Sequence, residues 1–246
     1  MLMTEPTSRD ATTAAVAASP RPQPYRFIHK ALRALMFRTL QQVATLDAAR
    51  VDERAALQAA VNELLQVCSD HVAHENEFFH EPLRERAPRA VLPFDDDHQG
   101  HLQAIAALRA RLAQVAEGGT AARGHAYALY LELSRFVGEN LEHMADEETQ
   151  LTQALWQHFS DAEIAALGDR LRATFSAEEA AYYLRWMARG LDDAELQALA
   201  VDARADLPSE AFEGFTGLIL DELPSPRRAR VARSLDLAPV PGLVAA

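Results

Sequence analysis

The sequence predicts an all-α protein, an up-down-up-down four-helix bundle followed by several short C-terminal helices. Four segments carry apolar residues at alternating steps of four and three, the seam of a packed bundle helix. Proline and glycine fall between those segments, and capping signatures recur only after the fourth. Each seam is also interrupted by histidine or glutamate at positions where leucine is expected, and these interruptions fall at one level of the bundle.

The first helix starts near Tyr25, after Pro22 and Pro24, and fades near Asp47; its stripe is His29, Leu32, Met36, Leu40, Val43 and Leu46. The second runs from about Asp52, read as an N-cap, to Pro82. Its seam is Leu57, Val61, Leu64, Cys68, His71, Glu75 and Phe78. A loop with Pro88 and Pro93 follows. Asp95, Asp96 and Asp97 are read as carboxylates at the positive end of the third helix, whose seam is Phe94, His98, His101, Ile105, Leu108, Leu112 and Val115. Gly118 and Gly119 end it. The fourth runs from around Thr120 or His125 to about Gln157, with Leu129, Leu133, Phe136, Asn140, His143, Glu147 and Leu151 on its seam.

Beyond that point, Ser160 with Glu163 and Ser176 with Glu179 read as capping boxes. Asp192 or Asp193, Ser209, and Ser225 followed by Pro226 mark three further starts. The expected organisation is a disordered leader over 1–24, the bundle over 25–157, four or five short helices within 158–237, and a flexible tail over 238–246.

Chemistry enters through spacing. His71 and Glu75 are four residues apart, as are His143 and Glu147, and such residues share a helix face. With antiparallel neighbours, a ligand near the start of the first and third helices meets ligands late in the second and fourth. His29, His71, Glu75, His98, His101, His143 and Glu147 satisfy that alternation. Seven converging polar groups on a core seam are costly unless they bind a metal, so they are the candidate ligands of a metal pair.

The other histidines take plainer readings. His74 sits one step off the seam. His80 forms an ExxH with Glu77, but off the α-helical seam and without the second such motif that a ferritin-type site needs. His125 and His158 lie near the ends of the fourth helix, and Asn140 reads as a partner of His143 or a core amide. Cys68, the lone cysteine, reads as a buried hydrophobe. Lys30, the lone lysine, reads as coding bias.

A formal charge of −12 argues against nucleic acid and anionic membranes as partners, because both require a basic patch. No segment has the composition of a signal peptide or a membrane span, so a cytoplasmic location is expected. No nucleophile triad, phosphate loop or nucleotide fingerprint occurs.

At these residues the chain resembles the hemerythrin-like, or HHE cation-binding, family. The family outline is a first-helix His, HxxxE on the second helix, His on the third and HxxxE on the fourth. It is matched by His29, His71 to Glu75, His98, and His143 to Glu147, over roughly residues 25 to 157. Oxygen-carrying members place two third-helix histidines four apart, whereas His98 and His101 are three apart. The resemblance implies two iron ions bridged by the carboxylates and an oxo or hydroxo group. It also implies a function in binding or sensing O2, NO or iron, with the C-terminal helices available to a protein partner. A di-iron enzyme with oxidase, peroxidase or NO-reducing activity, and an interaction protein with a structural metal, are the alternatives.

Overall fold

The computed structural model describes residues 21–235. The expected tail, and the expected leader apart from residues 21–24, lie outside them. Residues 21–24 are held in place: Arg21 donates to Asp161 and to the carbonyls of Trp156 and Phe159, and the Trp156 indole donates to the Pro22 carbonyl.

Helix α1 spans Arg26–Thr45 and α2 spans Val51–Glu75. A π turn, Asn76–His80, joins α2 without a break to α3, Glu81–Arg86. Helix α4 runs Pro88–Ala116 and α5 runs Ala122–Asp146. A second π turn, Glu147–Leu151, leads into α6, Thr152–His158. Then come α7 (Asp161–Arg172), α8 (Ala177–Gly190), α9 (Asp193–Asp206), α10 (Ser209–Asp221) and α11 (Ser225–Ser234). The described residues contain no strand, in keeping with the predicted all-α class.

Chain contacts divide the molecule into two compact units, and the division falls within α1. Among the described residues, 21–26 group with 36–173, whereas Phe27–Leu35 groups with 174–235. In the first unit the predicted seams are the buried faces. Leu57, Val61, Leu64 and Cys68 of α2, Ile105, Leu108, Leu112 and Val115 of α4, and Leu129, Leu133 and Phe136 of α5 are all buried. Tyr25, Phe78, Phe79, Leu83, Val91, Phe94, Leu151 and Leu155 form a further apolar cluster. Burial pushes the Cys68 thiol up to about 12, which suits an inert core residue.

Four helix starts differ from the sequence reading. Helix α4 starts at Pro88 rather than near Asp95, because Pro88 sits at the first helical position, where no N–H is needed. Pro93 is carried inside that helix. The Asp95–Asp97 triplet therefore lies in the third turn of α4 and caps nothing. Asp52 lies inside the first turn of α2, with Arg50 at the cap position. Ser209 and Ser225 are first helical residues, and the prolines before them stand at the cap. Gly118 and Gly119 end α4 with φ of 70° and 72°, the left-handed exit that glycine adopts most readily.

The second unit has its own core, built on Leu184, Ala188, Leu191, Leu196, Ala200, Phe212, Ile219, Leu223, Val231 and Leu235, with Phe27 packed against it. Two of its helices begin where the capping signatures predict: Ser176 with Glu179 and Asp192 with Glu195 form complete capping boxes. The Ser160–Glu163 box starts α7 in the first unit in the same way. Lys30, set aside on composition grounds, has a structural role, since its ammonium lies 2.5 Å from the buried carboxylate of Glu195.

Gly190 has a steric reason to be glycine. A Cβ there would stand 2.5 Å from the carbonyl oxygen of Lys30, a backbone atom that cannot swing aside. Gly190→Ala should therefore cost roughly 1–3 kcal/mol of stability. Gly214→Ala, where a Cβ meets nothing within 4 Å, should be neutral or stabilising by about 0.5–1 kcal/mol. Thermal melts of the two variants check this, and equal melting temperatures would contradict it.

Candidate metal centre

The centre is built where α2, α4 and α5 meet, late in α2 and α5 and early in α4. That arrangement shows the antiparallel alternation for these three helices. His71 and Glu75 stand one turn apart on α2, with His71 Nε2 3.1 Å from Glu75 Oε1. His143 on α5 and Glu147 at the start of the second π turn repeat this, with Nε2 3.3 Å from Oε1. From α4, His98 Nε2 lies 3.0 Å from His143 Nε2, 3.5 Å from Glu75 Oε2 and 3.6 Å from Glu147 Oε1. Glu75, His98, His143 and Glu147, all buried, each offer a ligand atom within 4.8 Å of the others. His71, Glu75 and Glu147 offer a second such convergence in the same unit.

The other ring nitrogens fix the histidines from behind. His98 Nδ1 faces Asn76 Oδ1 at 2.8 Å, and His143 Nδ1 faces the Asp97 carboxylate at 3.2 Å. Both partners are acceptors, so both Nδ1 atoms carry the hydrogen. In neutral rings the two Nε2 lone pairs would then point at one another across 3.0 Å. That is repulsive unless a positive charge lies between them. Metal-binding histidines show this arrangement, with an acceptor on the far nitrogen setting the tautomer.

The charge balance points the same way. One oxygen of Glu75 and one of Glu147 come within 4.8 Å, a repulsion on the order of 3 kcal/mol at an effective dielectric of about 20. Burial and the neighbouring Glu75 both oppose ionisation of Glu147, yet His143, His80 and His98 hold its carboxyl well below the usual range. Burial lowers the His98 pKa, but Glu147 and Glu75 outweigh it and raise it to about 9. Burial likewise opposes the shift at His143, which Glu147 reverses upward. The hydroxyl of buried Tyr25 is pushed well up by burial and by the charges of Glu147 and Glu75. The cage is therefore built around cationic charge. Imidazole and carboxylate are ligands for iron, zinc, copper or nickel. Adjacent donors 3.0–3.6 Å apart have the spacing of neighbours on one ion with bonds of about 2.0–2.2 Å. The donor set fits a metal pair.

A family model for the hemerythrin HHE cation-binding domain matches residues 25–155, more than half of the chain. The chain belongs to that family. No curated protein and no solved structure matches it.

The remaining predicted residues of this HHE domain are placed as follows. His101 is buried, its ring edge-on to His143 at 4.7 Å between centroids, and it belongs to neither convergence. Burial and the nearby charges of His143 and His98 lower its pKa to about 4. His29 is fully buried on the Phe27–Leu35 stretch of α1. His74 is half-buried and outside both groups, and Asn140 donates to the Phe136 carbonyl as a core amide.

Sequence reasoning missed His80, Asn76, Asp95 and Asp97. His80 is fully buried, with Nε2 3.4 Å from Glu147 Oε1. In α-helical register it would lie about 140° around from Glu75, but the π turn, hydrogen-bonded i to i+5 and so less tightly wound, carries it back toward the site. Only the capping interpretation of the acidic triplet hid Asp95 and Asp97, which sit three residues and one residue before His98.

Because His98 holds its proton up to about 9 rather than 6.5, metal must displace it. Uptake by metal-free protein should release protons, and apparent affinity should rise from pH 6.5 to about 9 and then flatten. Metal-free stability should run the other way. A raised folded-state value contributes fully below 6.5 and is lost as pH rises through about 9. Calorimetric titration in buffers of different ionisation enthalpy measures the release, and pH-independent affinity would contradict the assignment.

Proposed function

We propose that this HHE domain holds two iron ions and binds or senses a small ligand, O2 or NO, or iron itself, in the cytoplasm. The observation that carries the reading is the convergence of buried imidazoles on two shared carboxylates, Glu75 and Glu147, which lie in both candidate ion sets. A carboxylate common to two sets is what a bridged pair needs. His71 belongs to one side, and His98 and His143 to the other. We assign His29 to the side of His71. Its support is a buried imidazole near the start of α1, at the level that antiparallel alternation demands, within the span of the family match. Two further buried imidazoles, His101 and His80, stand beside the His98 group.

When bound, such a pair supplies two adjacent redox-active Lewis acids that can take a diatomic ligand. The chain supplies the rest. Asn76 and Asp97 hold His98 and His143 in the tautomer that leaves Nε2 free to bind. Phe94 and Phe136, set against His143 and His101, keep the cage dry, and a dry cage favours a small neutral ligand over water. The high pKa of Tyr25 keeps its hydroxyl protonated beside the carboxylates.

Purified protein should contain about two metal ions per chain, chiefly iron. His71→Ala and His143→Ala should each weaken loading by roughly 100-fold or more and lower the melting temperature, because a buried carboxylate loses its counter-charge. Metal analysis with optical spectra of the reduced protein, before and after O2 or NO, tests the reading. Full loading in both variants, or protein that loads only zinc and shows no response to either gas, would refute it.

A further inference from the structure

We propose that His80, and not His101, supplies the third imidazole to the ion held by His98 and His143. This rests on the two-ion reading above and changes its ligand set. His80 follows Glu75 by five residues across the π turn Asn76–His80, whose i→i+5 hydrogen bonding winds the helix less tightly than an α-helix, so His80 swings back toward the side that carries Glu75.

The side-chain geometry then singles it out. Its ring lies parallel to that of His98, 3° apart in plane and 4.7 Å between centroids. Three ring nitrogens surround one carboxylate oxygen: Glu147 Oε1 is 3.3 Å from His143 Nε2, 3.4 Å from His80 Nε2 and 3.6 Å from His98 Nε2. Three donors around a shared fourth describe one coordination sphere.

The far side of His80 agrees. Its Nδ1 faces Asp95 Oδ1 at 3.6 Å, and Arg84 donates to both oxygens of that carboxylate at 2.7 and 2.8 Å. Arg84 fixes Asp95, Asp95 faces His80, and His80 faces Glu147. The His143 ring is backed by Asp97 in the same way. Yet both His80 nitrogens are buried and make no hydrogen bond among the described residues, an arrangement that a bound ion would satisfy.

His101, which like His80 lies outside both tight donor groups, lacks the contacts to carboxylates that His80 makes. The His98-to-His101 step of three places it edge-on to His143 and Phe136. Its Nδ1 is buried without a hydrogen bond, and among the described residues it makes no ion pair with a carboxylate. It serves as a wall of the cage.

Titration of the metal-free full chain with Co2+, followed by visible absorption, separates the two. Parent protein should bind two equivalents. His80→Phe, which keeps a flat ring stacked on His98 but offers no donor, should bind the first as the parent does and weaken the second by about 10- to 100-fold. His80→Ala should do the same, with far-ultraviolet circular dichroism reporting that the helices persist. His101→Phe should keep both equivalents. Variants at His80 that bind two equivalents with parental affinity and spectrum, or that lose both together, would overturn the assignment. Fewer than two equivalents in the parent would overturn the two-ion reading itself, and His80 with it.

Discussion

Two carboxylates buried side by side, Glu75 and Glu147, impose the constraint on which the site depends. Neither is tolerable in the core without positive charge, and the surrounding imidazoles provide it either as protons or by holding cations. The elevated pKa of His98, set by Glu147 and Glu75 against the opposing effect of burial, is the metal-free answer to that demand. A cation held between the facing Nε2 atoms of His98 and His143 would be the other. Their hydrogen-bonded Nδ1 atoms, held by Asn76 and Asp97, keep both answers available in one geometry.

The π turns give the backbone's part in this arrangement. Each lies at the glutamate of an HxxxE motif: Asn76–His80 follows directly on Glu75, and Glu147–Leu151 begins with the second glutamate. A π turn gives up regular α geometry and is found mostly at functional sites. Here the first turns Phe78, Phe79 and His80 inward together. The second places Thr152 where its hydroxyl donates to the Glu147 carbonyl at 3.1 Å.

This explains which parts of the site could be read from the sequence. The seams of α2, α4 and α5 follow α-helical periodicity, so Leu57 through Glu75, His98 through Val115 and Leu129 through Glu147 declare their buried face in advance. The capping boxes at Ser160 and Ser176 are equally plain, because three-residue spacing is a local property, and the structure decides between Asp192 and Asp193 in favour of Asp192. His80 was hidden because periodicity assumes an unbroken α-helix, and five-residue spacing across a π turn has no signature in residue type. Asp97 was hidden by a boundary: carboxylates before a helical run read as caps, and only the start of α4 at Pro88 shows otherwise. Lys30 and Gly190 owe their roles to contacts between distant segments, which no local pattern encodes. The second unit includes the Phe27–Leu35 stretch that carries His29, so that stretch and the C-terminal helices from Ala177 belong to one compact unit.

The claim that this cage is a two-metal centre is tested most directly by crystallography of iron-loaded protein, with anomalous scattering recorded on both sides of the iron edge. The account predicts two anomalous peaks sharing Glu75 and Glu147, one beside His71 and one among His98, His143 and His80. A single peak, or iron bound away from these carboxylates, would contradict it.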